Sequence, residues 1–359
     1  MRFLLGLTVL LLASMLVSVA EAQERDLALL FEEPTEAEIV AVWEAWRGRD
    51  VEPRDWQVVG SAELSGMTIE VVSHEVADLT HYGLVRYPAD YSKSKRYPVL
   101  ILNHGGTGGT GVSFVNEFMH GCFRQFFVIA PSFRGESIDA REIGLSQYTS
   151  DGEMSVLNHD VDDALAFLEG VIANYDGAYF DKVSVYGSSR GASVSYLMSA
   201  RSPRIARGVY IAGSTDHITF PQLQETITAD VVTGAPNRIV KEVAKRYLAG
   251  ELPLADARAT LIGQSVIHFI DALPANLQLH HGRADEAISV EHSRRLDAAL
   301  RANDLPHGSY DYFEYEGVAH RINEAELFAQ RNHFLCAALQ DVPEVTLQRK
   351  GISAVRQPY

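Results

Sequence analysis

The sequence is short of positive charge: 31 Lys and Arg stand against 47 Asp and Glu, for a formal net charge of −16. That balance argues against nucleic acid and anionic lipid surfaces as partners. Cysteine is almost absent, with Cys122 and Cys336 the only two. Neither stands just after the apolar N-terminus, which argues against a lipid anchor there. No spacing of His, Cys, Asp and Glu matches a zinc or calcium motif, so neither a metal nor a cofactor is expected. Repeats and low-complexity tracts are missing, and past the N-terminus no apolar run is long enough to span a bilayer.

What is present begins with "MRFLLGLTVLLLASMLVSVAEAQ", which carries Arg2, an apolar run from Phe3 to Ala20, and the small-x-small site Ala20-Glu21-Ala22. This reads as a secretory signal over 1–22, cut after Ala22. The mature chain is then secreted or periplasmic, with no stable membrane insertion. A retained membrane anchor is the alternative.

The segment 23–56 reads as a helical extension. In "PTEAEIVAVWEAWRGRD", Thr35 and Glu38 form a capping box, and Ile39, Val42, Trp43 and Trp46 share one face. From Gln57 to Pro88 polar and apolar residues alternate, as in "TIEVVSHEV", which predicts antiparallel strands at a sheet edge. Unbroken apolar runs follow at Val99 to Leu102, Phe126 to Ala130, Val209 to Ala212 and Leu277 to Leu279. Such runs are buried on both faces, as in a parallel sheet covered by helices. Between them, "DVDDALAFLEGVI" places Val161, Ala164, Leu165, Leu168, Val171 and Ile172 on one helical stripe. The class is therefore α/β. The stretch 213–276 breaks the rhythm, with helical fragments and no clear strand, and reads as a cap-like insertion.

"DKVSVYGSSRGASVSYLMSA" contains G-x-S-x-G as Gly187-Ser188-Ser189-Arg190-Gly191, so Ser189 and not Ser188 is the candidate nucleophile. Val183 and Val185 alternate as in a strand, and Ala192, Tyr196 and Ala200 recur at helical spacing, which puts Ser189 on a strand-turn-helix elbow. The plainer reading is a glycine-flanked turn with a surface serine. A serine hydroxyl needs a base, an orienting acid and oxyanion donors. "LQLHHGRADEAIS" offers Asp285 after a strand, and "YDYFEYEGVAHRINE" offers His320 after another. "VLILNHGGTGG" supplies backbone N–H groups at Gly105 and Gly106.

Other assignments stay open at this point. Glu286 beside Asp285 is a second carboxylate able to orient a histidine, and His280, His281 and His333 rival His320. Arg134 in "SFRGE" reads as a loop anchor more than a substrate clamp. Gly106 to Gly111 also spells the dinucleotide fingerprint G-x-G-x-x-G, but the acid expected at the end of the next strand is missing. A non-catalytic binding protein is the remaining class, and it gives a serine, an acid and a histidine in this order no role.

The order Ser189, Asp285, His320 resembles that of the α/β-hydrolases, most closely the catalytic domain of the prolyl oligopeptidase family and its dienelactone-hydrolase relatives. The resemblance runs from about Tyr97 to Leu339 through "HGG", "PSFRGES", "DVDDALAFL", "VYGSSRGA", "HGRADEAIS" and "YEGVAH". It implies an α/β-hydrolase domain over 57–345, with a mostly parallel sheet of about eight strands, helices on both faces, and a C-terminal tail over 346–359. It implies Ser189 as nucleophile, His320 as base and Asp285 as acid, with the N–H of Arg190 and one from Gly105 or Gly106 as the oxyanion hole. Two departures matter. Arg190 and Ala192 stand where the peptidases usually carry an aromatic and a glycine, and the chain before the first core strand is too short for a propeller. The expectation is a secreted serine peptidase acting on small peptides, with an esterase of small acyl groups as the alternative and oligomeric state left open.

The same resemblance implies that the first and last of the sheet-covering helices lie side by side. Cys122 and Cys336, expected on these helices, would then form a disulfide, which an exporting compartment preserves. Two separate buried thiols are the alternative.

Overall fold

The unbroken apolar runs form the centre of a nine-stranded sheet in the computed structural model, which describes residues 25–155, 157–234, 239–303 and 309–343. The expected signal over 1–22 and tail over 346–359 lie outside the described residues. The strands are β1 (Arg54–Leu64), β2 (Met67–Val76), β3 (Leu79–Arg86), β4 (Tyr97–Asn103), β5 (Phe127–Pro131), β6 (Ala178–Ser188), β7 (Ile205–Ile211), β8 (Asn276–Gly282) and β9 (Ser309–Tyr315). Their order across the sheet is β1-β2-β3-β5-β4-β6-β7-β8-β9. β1 to β3 run antiparallel, as does β3 against β5, and all pairs from β5 to β9 are parallel. Every residue of β4 and β5 is buried, which is what an unbroken apolar strand requires.

Nine strands agree with the expected sheet of about eight. β1 is an edge strand with no buried residue, and with β2 and β3 it forms the antiparallel edge expected from Gln57 to Pro88. It is held by a hairpin whose two turn residues, Ser65 and Gly66, have φ of 53° and 74°, the left-handed pair that suits a two-residue hairpin.

Helices α1 (Asn158–Asn174), α2 (Arg190–Arg201), α3 (Glu291–Ala302) and α4 (Ala325–Cys336) belong to the same unit as the sheet. On one sheet face Leu84, Leu100, Leu102, Val128 and Ala130 share a core with Phe118, Phe123 and, from α4, Leu327 and Phe334. On the other, Gly83 makes room for Phe167 of α1, since an added Cβ would lie 2.3 Å from its ring. Tyr196 of α2 stacks on Tyr210 of β7 at 4.1 Å. Helices therefore cover both faces.

The apolar stripe of α1 is buried as expected at Val161, Ala164, Leu165, Leu168 and Val171, with Ile172 at its margin. Its acidic face is buried as well. Asp162 meets Arg49 and Arg201, and Asp163 takes three hydrogen bonds from Arg134. A buried carboxylate persists only when paired in this way, and Arg134 is accordingly a structural anchor.

A small three-stranded sheet joins 109–111, 137–139 and 147–149. Gly109–Gly111 is thus the strand of the glycine run. Cys122 lies in a 3-10 turn, Gly121–Gln125, that follows a five-residue helix, Val112–Asn116, and not at the end of one longer helix. The structure pairs it with Cys336 at the end of α4 in a disulfide, with Cα atoms 5.9 Å apart.

A second compact unit combines residues up to Arg47 with Asp216–His268. Its described residues contain helices and no strand, including Glu36–Arg47, Pro221–Thr233 and Leu254–Gly263. The N-terminal helix therefore partners the insertion. Arg258 joins them, donating to both carboxylate oxygens of Glu38 at 2.6 and 3.0 Å and to the carbonyls of Leu29 and Glu32. The Arg258 hydrogen bond holds the Glu38 carboxyl down at about 2. Glu38 also accepts from Thr35, completing the capping box. No helix among the described residues is long and apolar enough to cross a membrane.

Candidate active site

Ser189 stands between the end of β6 and the start of α2, with φ 58° and ψ −128°. A non-glycine residue there is strained, and the surroundings must hold it. They do so at both ends. The Ser189 N–H donates to the Ile211 carbonyl of β7 at 2.8 Å, and its carbonyl accepts from Ala192 at 2.9 Å. Gly191 is closed to any side chain, because a Cβ would fall 2.0 Å from the Asn103 carbonyl oxygen. The helix thus starts directly against the end of β4, and the serine is pushed up between them.

Asp285 follows β8 and His320 follows β9, so both project from the same carboxyl end of the parallel strands as Ser189. The structure brings the three together. His320 Nε2 lies 2.8 Å from Ser189 Oγ, and His320 Nδ1 lies 2.7 Å from Asp285 Oδ2. With the proton on Nδ1 donating to the carboxylate, Nε2 keeps a lone pair for the serine hydroxyl. The Asp285 side chain is fully buried and that of His320 is 29% exposed, so the carboxylate is shielded while the imidazole faces outward.

Asp285 is anchored on its other oxygen, Oδ1, by the N–H groups of Ala287 and Ile288, each at 2.9 Å. Burial pushes this carboxyl up. The hydrogen bonds from Ile288, His320 and Ala287 outweigh that and hold it below the ordinary carboxylate range. It therefore stays ionised beside the imidazole.

The rival residues are placed elsewhere. Glu286 is exposed, and His333 is exposed on α4. His280 is buried between the Tyr315 hydroxyl and the Gln278 side chain, stacked on Phe313. His281 faces Asp285 Oδ2 at 3.2 Å and the Ile288 carbonyl at 2.9 Å with one nitrogen, and the Ser293 hydroxyl at 2.7 Å with the other. Two acceptors at Nε2 require that nitrogen to carry the proton, so His281 is a neutral donor to Asp285.

Arg190 opens α2, and the N–H of a first helical residue has no partner within its helix. Gly105 lies against the elbow: a Cβ there would sit 2.7 Å from the Ser188 carbonyl oxygen and 3.1 Å from Ser189 Cβ. Both expected donor segments thus flank the serine. Beside Gly105 opens a cavity of about 600 Å³ whose lining includes Thr110, Phe114, Glu117, Asp139 and Glu142.

Three buried carboxylates nearby were not legible as site residues. Glu136 and Asp160 pair with the Arg190 side chain, and Asp163 pairs with Arg134. "FRGE" and "HDVDDA" signal them only as charges on a turn and on a helix. Nothing local shows that they are buried.

No family model matches the chain, and no curated protein matches it significantly. Solved structures do. An acetyl xylan esterase from Thermoanaerobacterium sp. JW/SL YS485 aligns over 84% of this chain and 95% of its own, at 14% identity and a TM-score of 0.59. One from Paenibacillus sp. R4 aligns over 86% and 98%, at 14% identity and 0.57. Dipeptidyl peptidase 4 from Porphyromonas gingivalis aligns over 80% of this chain but only 42% of its own, at 14% identity and 0.52. The fold is that of the α/β-hydrolases. In an α/β-hydrolase fold the carboxyl ends of the strands are where a nucleophile elbow and its partners are displayed. That is where Ser189, Asp285 and His320 lie here.

Proposed function

We propose that the chain is a serine hydrolase in which Ser189 forms an acyl-enzyme, His320 is the general base and Asp285 holds His320 in its working tautomer. The observation that carries this reading is the continuous hydrogen-bond path from Ser189 Oγ through His320 to Asp285. Ser189 attacks the acyl carbon as His320 Nε2 takes its proton. The resulting imidazolium passes that proton to the leaving group, and water then repeats the sequence to release the acid. The N–H of Arg190 and one from Gly105 or Gly106 would receive the negative oxygen.

For the substrate, small acyl esters are the first reading. The two esterases named above align over nearly their whole length, and the dipeptidyl peptidase over 42% of its own. Short peptides are the second reading, supported by the oligopeptidase-like motif order and by the peptidase match. Both reactions share a tetrahedral intermediate. The Cys122–Cys336 disulfide supports a place outside the reducing cytoplasm.

The test sets p-nitrophenyl acetate and butyrate beside dipeptide p-nitroanilides, with Ser189→Ala as the control. Turnover of the esters, lost in Ser189→Ala, is expected. Turnover of the anilides alone would replace the esterase reading with the peptidase one. Turnover that survives Ser189→Ala would remove Ser189 as the nucleophile.

A further inference from the structure

The Arg190 side chain is taken up by protein partners. It is 13% exposed and folds back beneath the glycine loop that follows β4. Its Nη1 donates to the Gly106 carbonyl at 2.9 Å and to Glu136, and its Nε donates to Asp160 at 2.9 Å. The guanidinium lies 5.0 Å from the centre of the Phe133 ring. Glu136 and Asp160 are both fully buried at the side chain.

The loop it grips is the other half of the expected oxyanion hole. His104 Nδ1 stands 3.2 Å from the Gly105 carbonyl, and Arg190 takes the next carbonyl, that of Gly106. In a planar trans peptide the carbonyl and the following N–H point in opposite directions. Fixing these two carbonyls therefore aims the N–H groups of Gly106 and Thr107. Glu136 stands beside both side chains, with one oxygen accepting from Arg190 and the other 3.3 Å from His104 Nε2 without a hydrogen bond. Gly106 itself has φ 68° and open space where a side chain would be, so packing at that position does not hold it.

We propose that Arg190 is a positioning residue that joins the two halves of the oxyanion hole. Its backbone N–H is one donor, and its side chain holds, at the Gly106 carbonyl, the loop that carries the other. This rests on the reading of Ser189 as nucleophile. An arginine directly after the nucleophile thereby does through hydrogen bonds what the elbow alone cannot do for a loop contributed by a different strand.

Removing Arg190 alone would strand two buried carboxylates, so the variant to make is the neutralised set Arg190→Met, Glu136→Gln and Asp160→Asn in the full chain. The readouts are the labelling rate of Ser189 by a fluorophosphonate, mapped by mass spectrometry, and kcat and KM on p-nitrophenyl acetate. A fall in labelling rate and kcat of roughly 10- to 100-fold with KM within about twofold is expected, the size of a weakened oxyanion donor. A purely structural role would move neither rate in folded protein. If the set does not fold, Arg190→Lys carries the test. One ammonium cannot serve Gly106, Glu136 and Asp160 together, so kcat should fall at least about threefold with KM unchanged. Wild-type rates in either folded variant overturn the proposal and leave the Ser189 reading intact. Labelling of the wild-type chain at a residue other than Ser189 overturns both.

Discussion

His281 Nε2 lies 3.2 Å from Asp285 Oδ2, the same oxygen that His320 reaches at 2.7 Å. One carboxylate oxygen thus accepts from two imidazoles, while Oδ1 accepts two backbone N–H groups. The carboxylate has no rotational freedom left, and it presents only acceptors. An amide in its place would turn an NH2 toward one of these donors. Asp285→Asn should therefore lower kcat by roughly four orders of magnitude through the wrong His320 tautomer. Glu286→Gln, on an exposed side chain, should leave kcat within about twofold. Steady-state kinetics on the two variants decides this, and the reverse ranking would move the acid to Glu286.

On the proposed mechanism the proton that Ser189 loses goes to His320 Nε2, so only neutral His320 can act as the base. Once it is protonated, that lone pair is gone and the serine hydroxyl has no acceptor. The rate should therefore fall on the acid side with the slope of a single proton, and fluorophosphonate labelling should fall with it. Asp285, held below the ordinary carboxylate range, remains ionised while this happens. Initial rates over the pH range in which the protein stays folded check this, and a profile with no acid-side loss speaks against a histidine base.

Ser189, Asp285 and His320 could be picked from the sequence because each sits in a local pattern: a glycine-flanked elbow, or a loop just after an apolar run. β4 and β5 were equally legible, since burial on both faces leaves an unbroken apolar signature. What escaped was set by partners far away in the chain. Asp160, Asp162 and Asp163 look like the solvated face of a helix, yet each is buried because Arg190, Arg201 and Arg134 arrive from other elements. The pairing of Glu38 with Arg258 hides in the same way, across 220 positions.

The Cys122–Cys336 disulfide ties the turn before β5 to the end of α4, across 214 positions. α4 begins five residues after His320 and packs Leu327 and Phe334 into the same core as Phe123. The bridge therefore restrains the element that follows His320. On the chain-entropy model a loop of this size stabilises the fold by about 5 kcal/mol at most, and about 2 to 5 kcal/mol is the usual cost of losing a native bridge. The double variant Cys122→Ser/Cys336→Ser should lower the urea midpoint accordingly. An unchanged midpoint, or two freely alkylated thiols in unreduced protein, would remove the bridge from the account.

His74 and His280 make stability depend on pH in a direction that can be worked out. Burial pushes each imidazole down to about 3. The unfolded chain takes up those protons near about pH 6.5, so between these values the unfolded state binds more protons and stability falls as the pH falls. Each histidine costs about 1.4 kcal/mol per pH unit in that window. Asp160 acts in the opposite sense: burial pushes its carboxyl up to about 6 from 3.8, so the folded state gains as the pH drops between those two values. Two histidines against one carboxyl leave a net loss. His74→Phe isolates one of them. Neither ring nitrogen of His74 has a hydrogen-bond partner, and the ring lies among Trp56 and Phe167 at 5.6 and 5.7 Å, where a phenyl ring fits. At pH 7 the variant should match the wild-type chain within about 1 kcal/mol. At pH 5 it should be more stable by about 2 kcal/mol, because the unfolded state no longer gains that proton. Urea unfolding at the two pH values measures the difference, and parallel losses in both proteins would show that His74 is not a source of acid sensitivity.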